Sequence, residues 1–159
     1  MSTAPADLYD RYGEKLQVAT PMFNDYGALR SFYGVIATVK VHEDNFLVRA
    51  ALEEPGQGRV LVIDGGGSLR CALVGDQLAR LAQQTGWSGM LVYGCIRDSV
   101  AIASVSIGLK AMNTNPRKSV RKGFGERDIA VSFAGVTFTS GAYLYADSDG
   151  VLVANERLA

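Results

Sequence analysis

Three residues in the middle of the chain have side chains suited to chemistry: Asp76 and, after twenty intervening residues, the adjacent pair Arg97-Asp98. A guanidinium grips a carboxylate bidentately and stabilises negative charge that develops on a nearby oxygen, as on an enolate. One carboxylate supplemented by waters is a common way for a protein to hold Mg²⁺ or Mn²⁺. The plainer alternative is that Asp76 merely complements a helix dipole and that Arg97-Asp98 is a surface ion pair.

The elements that must position these residues lie between Arg59 and Asp98. Two apolar runs, Val60 to Ile63 and Met90 to Tyr93, read as strands, and between them Leu73, Val74, Leu78, Leu81 and Ala82 recur at helical spacing. That is a βαβ unit with parallel strands. The residues after each strand, Asp64 to Ser68 and Gly94 to Asp98, therefore open on one edge of the sheet, where ligands usually bind. Gly75 and Asp76 begin the helix, whose free N–H groups and positive dipole end can seat a carboxylate or phosphate.

Other candidates carry less. Asp64-Gly65-Gly66-Gly67-Ser68 resembles a phosphate turn but lacks the Gly-x-Gly-x-x-Gly pattern and the Gly-Lys-Ser/Thr ending. His42 is the single histidine, so no His cluster can bind metal within one chain, and it reads as a surface residue at a strand end. Cys71 and Cys95 fit neither a zinc pattern nor a disulfide framework, and read as small buried residues in a reducing, cytosolic setting. Arg117, Lys118, Arg121 and Lys122 make a basic run that reads as a solvated loop or a ligand- or subunit-gripping segment. Without interleaved aromatics it is poorly suited to nucleic acid.

The rest of the chain fits a single domain over residues 1–159. Lys plus Arg (16) balances Asp plus Glu (16), giving no general attraction to nucleic acid or membranes, and no apolar stretch is long enough for a membrane span. Pro5 to Leu16 reads as a short helix, Tyr33 to Val41 as a strand, and Phe46 to Glu53 as a helix capped by Asp44 or Asn45. Ser99 to Ser104 reads as one helical turn and Ile107 to Met112 as a strand. Ile129–Phe133, Val136–Phe138, Tyr143–Ala146 and Val151–Val153 form short β runs separated by hairpin turns. The class expected is α/β, with a βαβ core and C-terminal β-hairpins.

Several separated motifs, taken in order, resemble one family. VIDGGGSLRCALVGDQLARLA, GWSGMLVYGCIRD, GLKAMNTNPRKS, GERD and YADSDGVLV are similar to the regulator of ribonuclease activity A family and its related 4-hydroxy-4-methyl-2-oxoglutarate aldolases, over essentially the whole chain. The resemblance implies a phosphohistidine-domain-like swivelling β/β/α fold in a homotrimer, with the cleft at subunit interfaces. It implies one of two functions. One is a Mg²⁺- or Mn²⁺-dependent lyase that cleaves this keto acid to two pyruvates and decarboxylates oxaloacetate; the other is a metal-independent inhibitor that binds ribonuclease E. Carried over to this sequence, Asp98 would hold the metal and Arg97 the keto-acid oxygens. The backbone of Gly75, Asp76, Gln77 and Leu78 would seat the substrate carboxylate, and Asp76 would move a proton through water. The aldolases extend the signature to Arg-Asp-x-x-Asp/Glu, whereas here Ala101 occupies the last position.

Overall fold

The run Val60–Ile63 offers no polar residue to either face, and in the computed structural model, which describes residues 1–159, all four of its side chains are fully buried at the centre of a sheet. Each such burial contributes about 1.5–3 kcal/mol, which makes this strand the natural anchor of the fold. Along the chain the elements are helix α1 (Pro5–Tyr12), strands β1 (Gln17–Val18), β2 (Asn24–Asp25) and β3 (Phe32–Lys40), helix α2 (Phe46–Leu52), strands β4 (Val60–Asp64) and β5 (Ala72–Val74), and helix α3 (Asp76–Thr85). Strand β6 (Gly89–Ile96), the single-turn helix α4 (Ser99–Ile102) and strands β7 (Gly108–Thr114), β8 (Glu126–Arg127), β9 (Val131–Phe133), β10 (Val136–Phe138), β11 (Tyr143–Asp147) and β12 (Gly150–Ala154) follow.

One large sheet has the order β1-β12-β11-β3-β4-β6-β7-β2, with β5 also paired to β6 and β8 to β3. Its centre, β3-β4-β6-β7, is parallel, and the outer strands are antiparallel. Alternate residues of a strand face opposite sides. On one side Leu61, Ile63, Met90 and Val92 pack with Val48, Leu52, Leu78, Ala79 and Ala82 of α2 and α3. On the other, Val60, Val62 and Leu91 pack with Val131, Phe133, Val136 and Phe138 of the β9–β10 hairpin. The layers are hairpin, sheet, helices: the β/β/α arrangement expected. A parallel centre covered on both faces explains why its strands read as continuous apolar runs. No helix is long and apolar enough to cross a membrane.

The structure departs from the sequence reading at one place that bears on the site. Leu73 and Val74, spaced with Leu78 and Ala82 as if they opened a helix, instead form β5, and α3 starts at Asp76. Strand β4 pairs with β6 as far as Asp64↔Tyr93, and β5 takes over the same edge of β6 at Ala72↔Cys95. Short apolar runs fit either period, and here the open N–H and C=O groups of β6 decide for a strand. Strand β2 falls within the punctuation of Pro21, Asn24, Asp25 and Gly27, which reads as loop, and the two residues of β1 are too few to carry a pattern. Strand β8 lies in the polar, basic stretch that reads as loop, and the first helix ends at Tyr12, four residues short of Leu16, giving way to a 3-10 turn over Gly13–Lys15. The remaining helices and strands agree with the sequence reading to within two or three residues at their ends.

Candidate active site

Strand β5 delivers the chain to Gly75, the residue that precedes α3 and has no side chain to cap it. A Cβ on Gly75 would lie 2.8 Å from Asp98 Oδ2 and 3.6 Å from Arg97 Cγ and Nε, so the absence of a side chain lets both residues close over the helix start. Asp98 has φ +59° and ψ +39°, a left-handed conformation uncommon for non-glycine residues and most tolerable for Asp and Asn. This turn brings its carboxylate back across the cleft, where Oδ2 accepts the Asp76 N–H at 3.1 Å. Asp98 thus caps α3 from another element and leaves the N–H groups of Gln77 and Leu78 without intrahelical acceptors.

The surface-pair alternative for Arg97-Asp98 is not formed, since Arg97 makes no ion pair and only a long 3.5 Å hydrogen bond from Nη1 to the Pro116 carbonyl. Asp76 is instead paired with Arg80 one helical turn on, Oδ2 to Nη1 at 2.6 Å. That guanidinium holds the Asp76 carboxyl below the usual carboxylate range, so it is ionised at neutral pH.

These residues open on a cleft of about 610 Å³ lined by Gly75, Asp76, Gln77, Leu78, Arg97 and Asp98, all six of the site residues read from the sequence. Asn45 and Arg49 from the start of α2 and Lys118, Ser119 and Arg121 from the basic run line it too. Nothing in the sequence marks Arg49 chemically, and Asn45 reads only as a capping residue. The structure decides between the two capping candidates: the acceptor for the first turn of α2 is Asp44 Oδ1, 3.0 Å from the Phe46 N–H, which leaves Asn45 free for another task.

Several candidates fall outside the cleft. Asp64 to Ser68 does not line it, although its strand ends at the same sheet edge. His42 is exposed beside Glu43 and Arg70. Cys71 and Cys95 are free and buried, and burial pushes both thiols up, away from nucleophilic character.

No three His, Cys, Asp or Glu side chains gather anywhere in the chain, so there is no all-protein metal cage. Mg²⁺ and Mn²⁺ need less, because they keep several waters and often take one or two carboxylates. Asp98 fits that requirement: it is exposed in an open cleft, and Oδ2 carries its one protein hydrogen bond, leaving Oδ1 unpartnered.

Fold and cleft define a class: a three-layer β/β/α domain with a guanidinium and two carboxylates at a helix start on the carboxyl edge of a parallel sheet. The chain belongs to the RraA-like family, whose model, described as Aldolase/RraA, matches residues 4–153. It is 55% identical over 158 residues to a protein of Alkalilimnicola ehrlichii, covering 99% of this chain and 98% of that one. It is 56% identical over 162 residues to a protein of Dechloromonas aromatica, covering 99% of each. Both bear the provisional name 4-hydroxy-4-methyl-2-oxoglutarate aldolase. Among solved structures, one from Geobacillus kaustophilus, described as an S-adenosylmethionine:2-dimethylmenaquinone methyltransferase, superposes with TM-score 0.95 at 51% identity, covering 99% of this chain and 97% of that one. The RNA-processing inhibitor RraA from Thermus thermophilis superposes with TM-score 0.96 at 43% identity, covering 100% and 96%. Such different names on one fold mean that the site, not the fold, must argue the function.

Proposed function

We propose that the chain is a divalent-metal-dependent carbon–carbon lyase that cleaves 4-hydroxy-4-methyl-2-oxoglutarate to two pyruvates and decarboxylates oxaloacetate. The observation that carries this reading is the convergence, in one cleft, of an unpaired Arg97, a half-satisfied Asp98 and the free N–H groups at the start of α3. The names of the close relatives point the same way.

A Mg²⁺ or Mn²⁺ ion held by Asp98 would supply a Lewis acid for the 2-keto oxygen. The chain's own groups do the rest. The N–H groups of Gln77 and Leu78, at the positive end of α3, seat the C1 carboxylate. Arg97 stabilises the charge that develops on the keto oxygen as the C3–C4 bond breaks and its electron pair moves into the C2–C3 bond. The C4 hydroxyl proton leaves through a water held by the ionised Asp76, C4 becomes the carbonyl of the first pyruvate, and a proton returns to C3 to complete the second. Oxaloacetate loses CO₂ to give the same enolate. Ala101 supplies no carboxylate where the aldolase signature has one, so α4 lends the metal no further support and affinity for it is reduced.

The test is pyruvate release from both keto acids with Mg²⁺ and with chelator, for the parent and Asp98→Ala. Chelator-sensitive turnover lost in the variant is expected, and turnover equal to the metal blank in the parent refutes the reading.

Val120, 50% exposed, lines the cleft, and two more exposed apolar side chains lie close to its residues in sequence, Val100 (90%) after Asp98 and Phe124 (72%) after Arg121. They support burial by a neighbouring copy in a homotrimer, which sedimentation equilibrium would measure. A second reading, binding and inhibition of ribonuclease E, is supported by the near-complete superposition on the Thermus RraA. It predicts stoichiometric inhibition that persists in chelator and in Asp98→Ala.

A further inference from the structure

The basic run Arg117–Lys122 reads as solvated loop, yet its backbone is fastened at four points. The Ala72 N–H donates to the Arg117 carbonyl at 2.8 Å, the Asn45 N–H to the Val120 carbonyl at 3.0 Å, and the Val120 N–H to the Glu43 carbonyl at 3.0 Å. Asp44, 1% exposed, accepts the N–H groups of Lys122, Gly123 and Phe124 on Oδ2 at 3.0, 3.0 and 3.2 Å. The segment is therefore a fixed wall, which places Lys118, Ser119 and Arg121 beside Arg49 of α2 on the cleft that holds Arg97.

This wall is conspicuously unsatisfied. Arg49, Lys118 and Arg121 have no carboxylate partner. Ser119 is 8% exposed, and its Oγ is buried without a hydrogen-bond partner. Asn45 donates from Nδ2 to the Leu73 carbonyl at 3.2 Å, which fixes its amide orientation and leaves Oδ1 buried without a donor. Buried polar atoms without partners are rare and costly, and two of the four side chains in the chain that carry one belong to residues lining this cleft.

We infer that this wall is a second anion seat, which reads the far carboxylate of a keto diacid whose near carboxylate and keto group lie at Gly75–Leu78 and Arg97. The inference rests on the lyase reading for the near end alone. Arg49 and Arg121 offer bidentate geometry for a carboxylate, Lys118 adds a point charge, and Ser119 Oγ can donate. Asn45 Oδ1, an acceptor only, suits a substrate hydroxyl. Anchoring both ends fixes the bond to be broken between two held carboxylates. The cleft thereby selects keto diacids over keto monoacids such as pyruvate, which leave the cations of the wall without a partner.

Calorimetric titration with 2-oxoglutarate and with pyruvate, at matched ionic strength and with Mg²⁺ present, tests this without requiring turnover. The parent is expected to bind 2-oxoglutarate at least about tenfold more tightly than pyruvate. Arg49→Gln and Arg121→Gln are expected to bring that ratio towards one, and Ser119→Ala to lower it in part. Arg117→Gln, which removes a charge from the same run but not from the cleft lining, is expected to keep it. Equal affinities in the parent, or a ratio lowered as much by Arg117→Gln as by the cleft variants, would overturn the inference. A preserved ratio in a parent without turnover would sink the lyase reading and leave the seat standing; turnover of oxaloacetate with a ratio of one would do the reverse.

Discussion

The turn after β4 and the turn after β5 leave the same edge of the sheet, and both carry residues associated with anion binding. The first, Asp64–Ser68, has three consecutive glycines, two of them at positive φ (Gly66 +69°, Gly67 +72°). Its donors are all engaged: the Gly65 and Gly67 N–H groups on the Tyr93 carbonyl at 3.0 and 3.1 Å, and the Gly66 N–H on Asp64 Oδ1 at 2.9 Å. The Ser68 N–H reaches the Gly65 carbonyl at 3.4 Å and its hydroxyl Glu43 Oε2 at 2.6 Å. The second turn has one glycine, and it leaves two helix N–H groups, a guanidinium and a carboxylate oxygen open to a cleft. Glycine content marks a tight backbone path, whereas unpartnered polar groups mark a site.

The largest expected effects fall on the second turn. Arg97→Ala and Asp98→Asn should each lower pyruvate release about 10²–10³-fold, the size of loss seen when one donor to a developing oxyanion is removed. Asn at position 98 retains an acceptor for the Asp76 N–H and tolerates the left-handed backbone, so its thermal midpoint should stay near the parent's while turnover falls. Gly75→Ala comes next. Its φ of −119° suits alanine, but the added Cβ meets Asp98 Oδ2 at 2.8 Å and displaces the carboxylate. A folded protein with turnover reduced roughly 10–100-fold is expected, since small misplacements of a reacting group carry such losses.

The contrast between the turns also shows how much could be read without coordinates. The convergence of Gly75–Leu78 with Arg97-Asp98 was legible, because a helix start after one parallel strand and the end of the next must share a rim. The β/β/α layering came from the family resemblance, and the apolar runs support it. The wall formed by Asn45, Arg49, Lys118, Ser119 and Arg121 was not legible. It depends on backbone bonds between segments about 75 residues apart in sequence, such as Asn45 N–H to Val120 carbonyl, which leave no side-chain pattern. Strand β5 was missed because three residues are too few to carry a period.

Asp44 is the one side chain among the four fastenings of that wall, and its loss should rank third. Burial opposes its ionisation, yet N–H bonds from Phe46, Phe124, Lys122 and Gly123 outweigh that and hold the carboxyl below its usual range. Asp44→Asn should cost about 2–3 kcal/mol of stability in urea denaturation at pH 7. A carboxylate whose pKa is depressed by folding contributes fully above its unfolded value and loses that contribution as pH falls through the folded value. The gap between parent and variant should therefore close only in acid, below the ordinary carboxylate range.

Gly66→Ala tests the turn that is not a site. At φ +69° an alanine costs about 1–2 kcal/mol, which should appear in the denaturation midpoint, while turnover per folded molecule stays at the parent level. A loss of turnover there would erase the distinction between the two turns.

The smallest structural effect, and the sharpest probe of Asp76, is Arg80→Gln. The pair is exposed and spans one helical turn, so its removal should cost only about 0.3–0.5 kcal/mol. Its effect on ionisation is separate. Arg80 is the main reason that Asp76 titrates below the usual carboxylate range, and without it the carboxyl returns towards that range. If ionised Asp76 moves the proton, the acid limb of kcat/KM must shift to higher pH in the variant, so that activity fails earlier as the solution is acidified. The stability difference behaves oppositely, being present above the unfolded carboxylate value and vanishing in acid. An acid limb unmoved by Arg80→Gln would show that another group carries the proton and that Asp76 serves only the start of the helix.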